Sequence, residues 1–267
     1  ILGMKSLVAF CLLLLFSPTI LVAQEVAVFA QFNGQYDYLA FGNTLNTGEN
    51  TGAVPPTPCE ILTSSSANFE LQPDQQLIAA DLYWAGSGTG DFDVTLNGQQ
   101  ITAQRTFSET ITNGLEYFAA FAEVTSLVQA TGNGLYTLAD LDLTGVIASY
   151  CENTTNFAGW AITVIYQDNT LPLNQVTIFD GLESVSATNT NLTINLSDIN
   201  VLDNDGAKIG FLAWEGDQSL SVNETLQING NIISNPPLNP ADNAFNGTNS
   251  FTQNEVMYNM DIDFYSI

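Results

Sequence analysis

Histidine is absent from this 267-residue chain, and only three positive side chains, Lys5, Arg105 and Lys208, face 28 carboxylates. Without histidine, the chain cannot form a Ser-His-Asp or Cys-His nucleophile pair or an imidazole zinc site. A nucleic-acid binder needs clustered lysine and arginine to displace phosphate counterions, so nucleic acid is excluded as a partner. Carboxylate chemistry, hard-cation binding or the absence of catalysis remain.

Charged residues of both signs together are scarce as well, at 12% of the chain, whereas apolar residues make up 45%. An acidic disordered tail would have the opposite balance, with high charge and few core-forming side chains. The chain therefore has enough apolar material to fold around a sizeable core, and a single domain is sufficient for its length.

A long uncharged apolar run occurs near the start, from Leu7 to Phe16, directly after Met4 and Lys5. The pattern predicts a secretory signal peptide over residues 1–23, with the start at Met4 and cleavage after Ala23. The run is shorter than the ~20 residues that a spanning helix needs, so we expect no membrane insertion of the mature chain. The predicted location is extracellular or at the cell surface, and loss of Lys5 changes the formal charge from −25 to −26.

Few cysteines are present, and after the predicted cleavage only Cys59 and Cys151 remain. In an exported protein, two cysteines with no other partner are most simply explained as one disulfide. Two buried free thiols are the alternative.

Short alternating or fully apolar runs recur along the mature chain, separated by turn signals such as Asn97-Gly98 and Asn229-Gly230. These runs predict strands at Leu77–Trp84, Phe92–Leu96, Tyr117–Phe121, Gly134–Leu141, Ala161–Tyr166, Gln175–Phe179, Leu192–Leu196, Ile209–Trp214, Glu224–Ile228 and Met257–Phe264. We expect an all-β fold, an antiparallel β-sandwich of the jelly-roll kind over residues 24–267, with at most one short helical turn at Val124–Val128. Residues 42–68 and Asn235–Thr248 are expected to form long surface loops.

One acidic turn has the pattern of a calcium loop, because Asp203, Asn204 and Asp205 offer oxygen ligands ahead of Gly206. Asp203 and Asp205 are therefore candidate Ca²⁺ ligands, and no other cofactor is expected. The rest of an EF-hand loop is missing, since Trp214 occupies the position of the final glutamate. An ordinary Asp-rich turn is the alternative.

Two acidic pairs, Glu215 with Asp217 and Asp261 with Asp263, have the spacing that places both side chains on one face of a strand. Paired carboxylates are the groups that glycoside hydrolysis requires, although chance adjacency is expected among 28 acids. Several aromatic residues are candidates for stacking on a sugar ring: Tyr83, Trp84, Trp160, Tyr166 and Trp214. Apolar neighbours favour the core for Trp84 and Trp160, which leaves Trp214, Glu215 and Asp217 as the candidate glycan contact.

Several segments occur in a characteristic order along the chain: Leu82–Gly86, Phe121–Val128, Gly132–Thr137, Phe157–Asp168, Leu171–Pro172, Val176–Gly181 and Ile209–Asp217. Together they resemble the amino-terminal β-domain of large bacterial cell-surface proteins of the gliding-motility-associated kind, which carry a type IX sorting domain. The resemblance implies an exported, adhesin-like surface protein with no defined reaction. It also implies that the domain continues past Ile267, and that contact with the export machinery uses regions beyond this chain.

The sequence thus predicts a non-catalytic surface module with an adhesive, interaction or structural display role. An extracellular polysaccharide or a surface protein is the expected partner. A carboxylate-dependent glycan-active enzyme is one alternative, and a purely architectural spacer is another.

Overall fold

The computed structural model describes residues 25–51, 59–111, 113–199, 205–220 and 223–267. The first nine strands are β1 Ala27–Gly34, β2 Tyr36–Thr44, β3 Ser64–Phe69, β4 Gln75–Ser87, β5 Asp93–Leu96, β6 Gln99–Thr102, β7 Arg105–Thr110, β8 Glu116–Glu123 and β9 Gly134–Ala139. The others are β10 Ala158–Asp168, β11 Asn174–Asp180, β12 Lys208–Trp214, β13 Leu226–Ile228, β14 Asn231–Ile233 and β15 Met260–Ser266. Two short helices, α1 Thr125–Thr131 and α2 Ala148–Cys151, complete the described elements.

Strands β2 to β10 form two antiparallel sheets with the orders β2-β10-β4-β8-β7 and β3-β9-β5-β6. The pairings are nested, since β2 pairs with β10, β3 with β9, β4 with β8 and β5 with β6. A long hairpin that is folded over on itself produces this nesting, and it is the topology of a jelly roll with β7 added beside β8. The expected all-β, jelly-roll-like sandwich is confirmed.

The main core lies between these two sheets and is almost entirely apolar. Alternate residues of β4, namely Ala80, Leu82 and Trp84, point into it and are fully buried, as is Trp160 of β10. Each indole nitrogen still has a partner, because Trp84 Nε1 donates to the carbonyl of Asp91 (2.8 Å) and Trp160 Nε1 to Ser65 Oγ (2.9 Å). The sequence interpretation of both tryptophans as core residues is confirmed.

The outer face of the five-stranded sheet is covered on one side by the β1–β11 ribbon. Phe29 of β1 lies edge-on to Phe121 with ring centroids 5.1 Å apart. The Arg105 guanidinium lies 4.2 Å from the centroids of both rings and forms an ion pair with Asp180. Because β4, β8 and β10 are covered on both faces, they appear in the sequence as nearly continuous apolar runs.

A second ribbon, β12–β15, covers the outer face of β2 and β10 and carries the long polar segments of the C-terminal region. Met260 and Ile262 are buried against Ala161 of β10. This close approach depends on Gly159, because a Cβ atom there would lie 2.6 Å from Met260 Sδ and 3.1 Å from the Trp214 ring. We call residues 205–220 and 223–267 the C-terminal layer.

Several details differ from the sequence predictions. Leu192–Leu196 is described but is not a strand, and β1, β2, β3, β6, β7 and β14 were not predicted as strands. The expected loop at 42–68 begins at the end of β2 and ends inside β3. Helix α2 adds a second short helix to the single turn expected near Val124. It forms because Tyr150 is buried against Tyr117 and its hydroxyl donates to the carbonyl of Glu116.

The disulfide between Cys59 and Cys151 is confirmed, with Cα atoms 5.7 Å apart and a sequence separation of 92 residues. The bond joins the β2–β3 connection to the end of α2, where Cys151 packs against the main core. The predicted signal peptide lies outside the described residues. Within the described residues, no helix is long and apolar enough to cross a membrane.

Candidate functional site

The two aspartates of β15 point to the same side of the strand, as their spacing predicted, and both are completely buried. Oδ1 of Asp261 accepts three backbone hydrogen bonds, from the N–H groups of Asn246, Gly247 and Thr248, at 2.9–3.1 Å. Burial raises the pKa of Asp261 well above its usual range, with a further contribution from the charge of Asp263. Asp261 therefore holds the preceding loop against the ribbon.

Asp263 holds the same loop at neighbouring points. Its Oδ2 accepts from Asn239 Nδ2 (2.9 Å) and Thr248 Oγ1 (3.0 Å), and its Oδ1 accepts from the N–H of Ser250 (2.8 Å). Burial also raises the pKa of Asp263. With every one of these bonds inside the protein, the aspartate pair serves the fold and cannot reach a substrate.

A second group of acids, Glu49, Glu215, Asp217 and Glu224, surrounds the turn that follows β12, and we call it the acidic cluster. Glu49 Oε1 accepts from the N–H groups of Gln218 and Ser219. Burial raises the pKa of Glu215 to about 8, with the charge of Asp217 as the next cause. Burial raises the pKa of Asp217 to about 7, with Glu49 and Glu224 adding to it.

Amide side chains connect two members of the acidic cluster. Asn50 Nδ2 donates to Glu215 Oε1 (3.0 Å), and Asn259 Nδ2 donates both to Asp217 Oδ1 and to Asn50 Oδ1 (2.8 Å each). The two ion pairs formed by described residues lie elsewhere, at Arg105–Asp180 and Lys208–Asp37. Hydrogen bonds from amide side chains and protonation of the carboxyl groups, and not basic side chains, therefore compensate the negative charge of the acidic cluster.

Trp214, the third residue of the candidate glycan contact, is half-buried. Its ring stacks on Phe157 with centroids 6.2 Å apart and an interplanar angle of 18°. The structure brings Trp214, Glu215 and Asp217 together at the end of β12, but one face of the indole is used for packing.

Of the two candidate calcium ligands, Asp203 lies outside the described residues and Asp205 is exposed in the turn that precedes β12. Across the described ranges, no three acidic or cysteine side chains are grouped so as to hold a metal ion.

A small cleft of about 190 Å³ opens where β2, β10, β12 and β15 meet, and we call it the Tyr38 cleft. It is lined by Asp37, Tyr38, Leu39, Tyr166, Lys208, Phe251 and Phe264. Gly210 of β12 makes room for the tyrosine, because a Cβ atom at that position would lie 2.8 Å from the Tyr38 ring. The Phe251 ring stands edge-on to Tyr38 at 5.9 Å and tilted against Phe264 at 4.8 Å.

Polar groups converge at the same cleft. Lys208 Nζ lies 2.5 Å from Asp37 Oδ2, and the Tyr166 hydroxyl donates to the same oxygen at 3.4 Å. The Tyr38 hydroxyl is buried without a hydrogen-bond partner. Burial and the charge of Asp37 both raise the pKa of Tyr38, so this hydroxyl stays protonated. Aromatic surface beside a carboxylate, an ammonium and the Tyr166 hydroxyl is the composition of a small binding site.

A larger open cleft of about 470 Å³ lies beside α1 and is lined mainly by amide and apolar side chains. Two of its amides are used within the fold. Asn133 exchanges both of its amide hydrogen bonds with the backbone of Leu71, and Gln129 donates to the carbonyl of Leu77. The Tyr38 cleft is therefore the better candidate for a ligand.

Sequence reasoning missed most residues of the Tyr38 cleft. Tyr166 was a candidate sugar-stacking residue, but Asp37 and Tyr38 lie on β2, which was not predicted. Lys208 is one of only three basic residues, and this rarity is the one sequence signal that could have singled it out.

Comparison of the chain with protein-family models, with curated proteins and with solved structures finds no match.

Proposed function

We propose that this protein is a non-catalytic module of an exported bacterial surface protein, and that it binds an extracellular polysaccharide through the Tyr38 cleft. The observation that carries the proposal is the grouping of the Phe251 and Phe264 rings with Lys208 and Asp37 around one cleft. Aromatic rings beside a few polar groups that fix orientation are the usual lining of a ligand site. This feature favours a binding role over a purely architectural spacer.

A sugar ring has the chemistry that the cleft offers. Its apolar face packs on aromatic side chains such as Phe251 and Phe264, and its hydroxyls can accept from Lys208 or Tyr166 and donate to Asp37. The small volume suits one ring of a longer chain. An extended polysaccharide would then continue over the surrounding surface.

The absence of catalysis is supported by the use of the acids. Asp261 and Asp263 are completely buried and accept hydrogen bonds from the protein, so they hold the C-terminal layer together instead of facing a substrate. One observation favours the enzyme alternative. The pKa values of Glu215 and Asp217, about 8 and about 7, are those of groups that exchange protons near neutrality.

The test is binding of the purified protein to an array of bacterial and algal polysaccharides, followed by titration of the best ligand. We expect Tyr166→Phe, which removes only the hydroxyl, to weaken binding by roughly tenfold, the effect of one lost hydrogen bond of about 1.4 kcal/mol. Tyr258→Phe is the matched control, because Tyr258 does not line the cleft. Equal affinities of the two variants would show that the site lies elsewhere. If no polysaccharide bound at all, the spacer alternative would be favoured.

Release of reducing ends from the same polysaccharides distinguishes the enzyme. We expect none above the background of a heat-treated sample. Release that is lost in Glu215→Gln would contradict the non-catalytic proposal and identify the acidic cluster as an active site.

A further inference from the structure

One segment with the sequence of a strand has no strand partner among the described residues. Leu192, Ile194 and Leu196 alternate with polar residues, which is the pattern that predicted a strand there. In the structure every residue from 191 to 199 is exposed, and those three apolar side chains are 37%, 41% and 43% exposed. No backbone hydrogen bond joins residues 191–197 to other described residues.

The segment is nevertheless attached at both ends. The preceding turn is closed by paired backbone hydrogen bonds between Ser186 and Asn189, and at the far end Gln31 Nε2 donates to the carbonyl of Asp198 at 2.8 Å. An exposed segment held in this way is available for pairing with another strand.

The sequence of the segment is complementary to itself. In an antiparallel pair of two copies centred on Ile194, Leu192 of each copy faces Leu196 of the other, and Ile194 faces Ile194. All the apolar side chains then lie on one face of the pair, because successive residues alternate between faces. On the other face Thr193 meets Asn195, so that polar side chains capable of hydrogen bonding are opposed.

Charge does not oppose a second copy at this place. Residues 186–197 contain no charged side chain, so no carboxylates repel one another within this part of the pair. In the same register Asp198 faces Thr190, so no two carboxylates are opposed there either.

We propose that residues 191–197 pair antiparallel with the same residues of a second copy of this chain, about a two-fold axis at Ile194. Such an isologous contact closes on itself and gives a dimer, not a filament. A two-stranded pair is weak by itself, so the dimer forms at high protein concentration or at high density on a surface.

The test is disulfide trapping of the purified protein. Ile194→Cys places two thiols opposite each other at the proposed axis, so mild oxidation should give a covalent dimer on non-reducing gels. Leu173→Cys is the control, because Leu173 is 83% exposed and lies outside the segment. Chance collision would favour the control, whereas strand pairing gives at least a severalfold higher dimer yield for Ile194→Cys. Equal yields would overturn the proposal.

Sedimentation of the unmodified protein gives a second measurement. The mass should rise with concentration from that of one chain towards twice that value, and should not exceed it. The double variant Thr193→Pro/Ile194→Pro removes a backbone donor from each edge of the segment, so it should stay monomeric with an unchanged melting temperature. A wild-type protein that remains monomeric, or that forms larger species, would contradict the two-fold dimer.

Discussion

The jelly roll and the C-terminal layer are held together by different interactions, although both are β structure in one chain. Between the two sheets, burial of tryptophan, phenylalanine and leucine side chains supplies the stability. The buried acid of β4, Asp81, whose pKa burial raises to about 6, lies on the outer face of its sheet. In the C-terminal layer, buried aspartates and asparagines replace much of that apolar surface. Apolar burial does not depend on pH, whereas burial of carboxylates does. The two regions should therefore respond differently to the same perturbation.

The largest expected effect is on the jelly roll. Replacing both half-cystines, Cys59→Ser with Cys151→Ser, opens a loop of 92 residues. The chain-entropy model predicts a loss of about 4–5 kcal/mol in the free energy of unfolding. Chemical denaturation should show this loss to the same extent at pH 5 and pH 8, and a loss that changes with pH would link the disulfide to the acids.

A smaller effect should follow from removing the acceptor at Asp261. Asp261→Ala leaves three buried backbone N–H groups without a partner, which we expect to cost about 3 kcal/mol. Asp261→Asn keeps an acceptor oxygen and removes the charge, so it should cost much less and should be at least as stable as the wild type at pH 8. If both variants lost the same stability at both pH values, the carboxylate would not be the organising group.

The contact between the two regions can be loosened at Gly159. Gly159→Ala forces Met260 and Trp214 away from β10, and we expect a loss of about 1–3 kcal/mol by overpacking. Gly145→Ala is the matched control, since a Cβ atom there meets nothing within 4 Å. Thermal unfolding of the two variants measures the difference, and equal melting temperatures would show that the C-terminal layer is not closely docked.

A gain in stability, and not a loss, is expected at the acidic cluster. Glu215→Gln keeps the acceptor for Asn50 and removes a group whose pKa is raised to about 8. The variant should therefore be stabilised at pH 8.5, where the glutamate of the wild type ionises, and nearly unchanged at pH 5, as read from the denaturation midpoint. Destabilisation at pH 8.5 would mean that the ionised glutamate is favourable in the fold.

The sequence predicted the jelly roll and the C-terminal layer to different extents. Trp84 and Trp160 lie in strands covered on both faces, so their continuous apolar runs predicted both the strand and the core position. The pairing of β2 with β10 joins residues more than a hundred positions apart, and β2 has weak alternation because both of its faces are partly covered. No local pattern could predict that strand, or the Tyr38 cleft that depends on it.

The acids show the same limit at single residues. The spacing of Asp261 and Asp263 predicted that both lie on one face, which is correct. Their structural role depends on which backbone N–H groups the loop at 246–250 brings to them. That placement is set by the tertiary structure and not by the local sequence. Leu192–Leu196 shows the reverse case, because a correct strand pattern does not form a strand without a partner edge.

The pH dependence of stability tests the central claim, that ionisation of buried carboxylates opposes folding of the C-terminal layer. Folding raises the pKa values of Glu215, Asp217, Asp261 and Asp263 above their usual range. A group of this kind contributes stability that is fully present below its unfolded pKa of about 4 and is lost as pH rises through its folded pKa. The decline should therefore extend from about pH 4 to about pH 8 for Glu215 and Asp217, whose folded pKa values are about 8 and about 7.

The direct measurement is the free energy of unfolding by chemical denaturation at steps from pH 5 to pH 8.5, at constant ionic strength. The account predicts a steady decrease over this range in the wild type and a shallower decrease in Asp261→Asn. Stability that is constant or rises with pH in the wild type would contradict it.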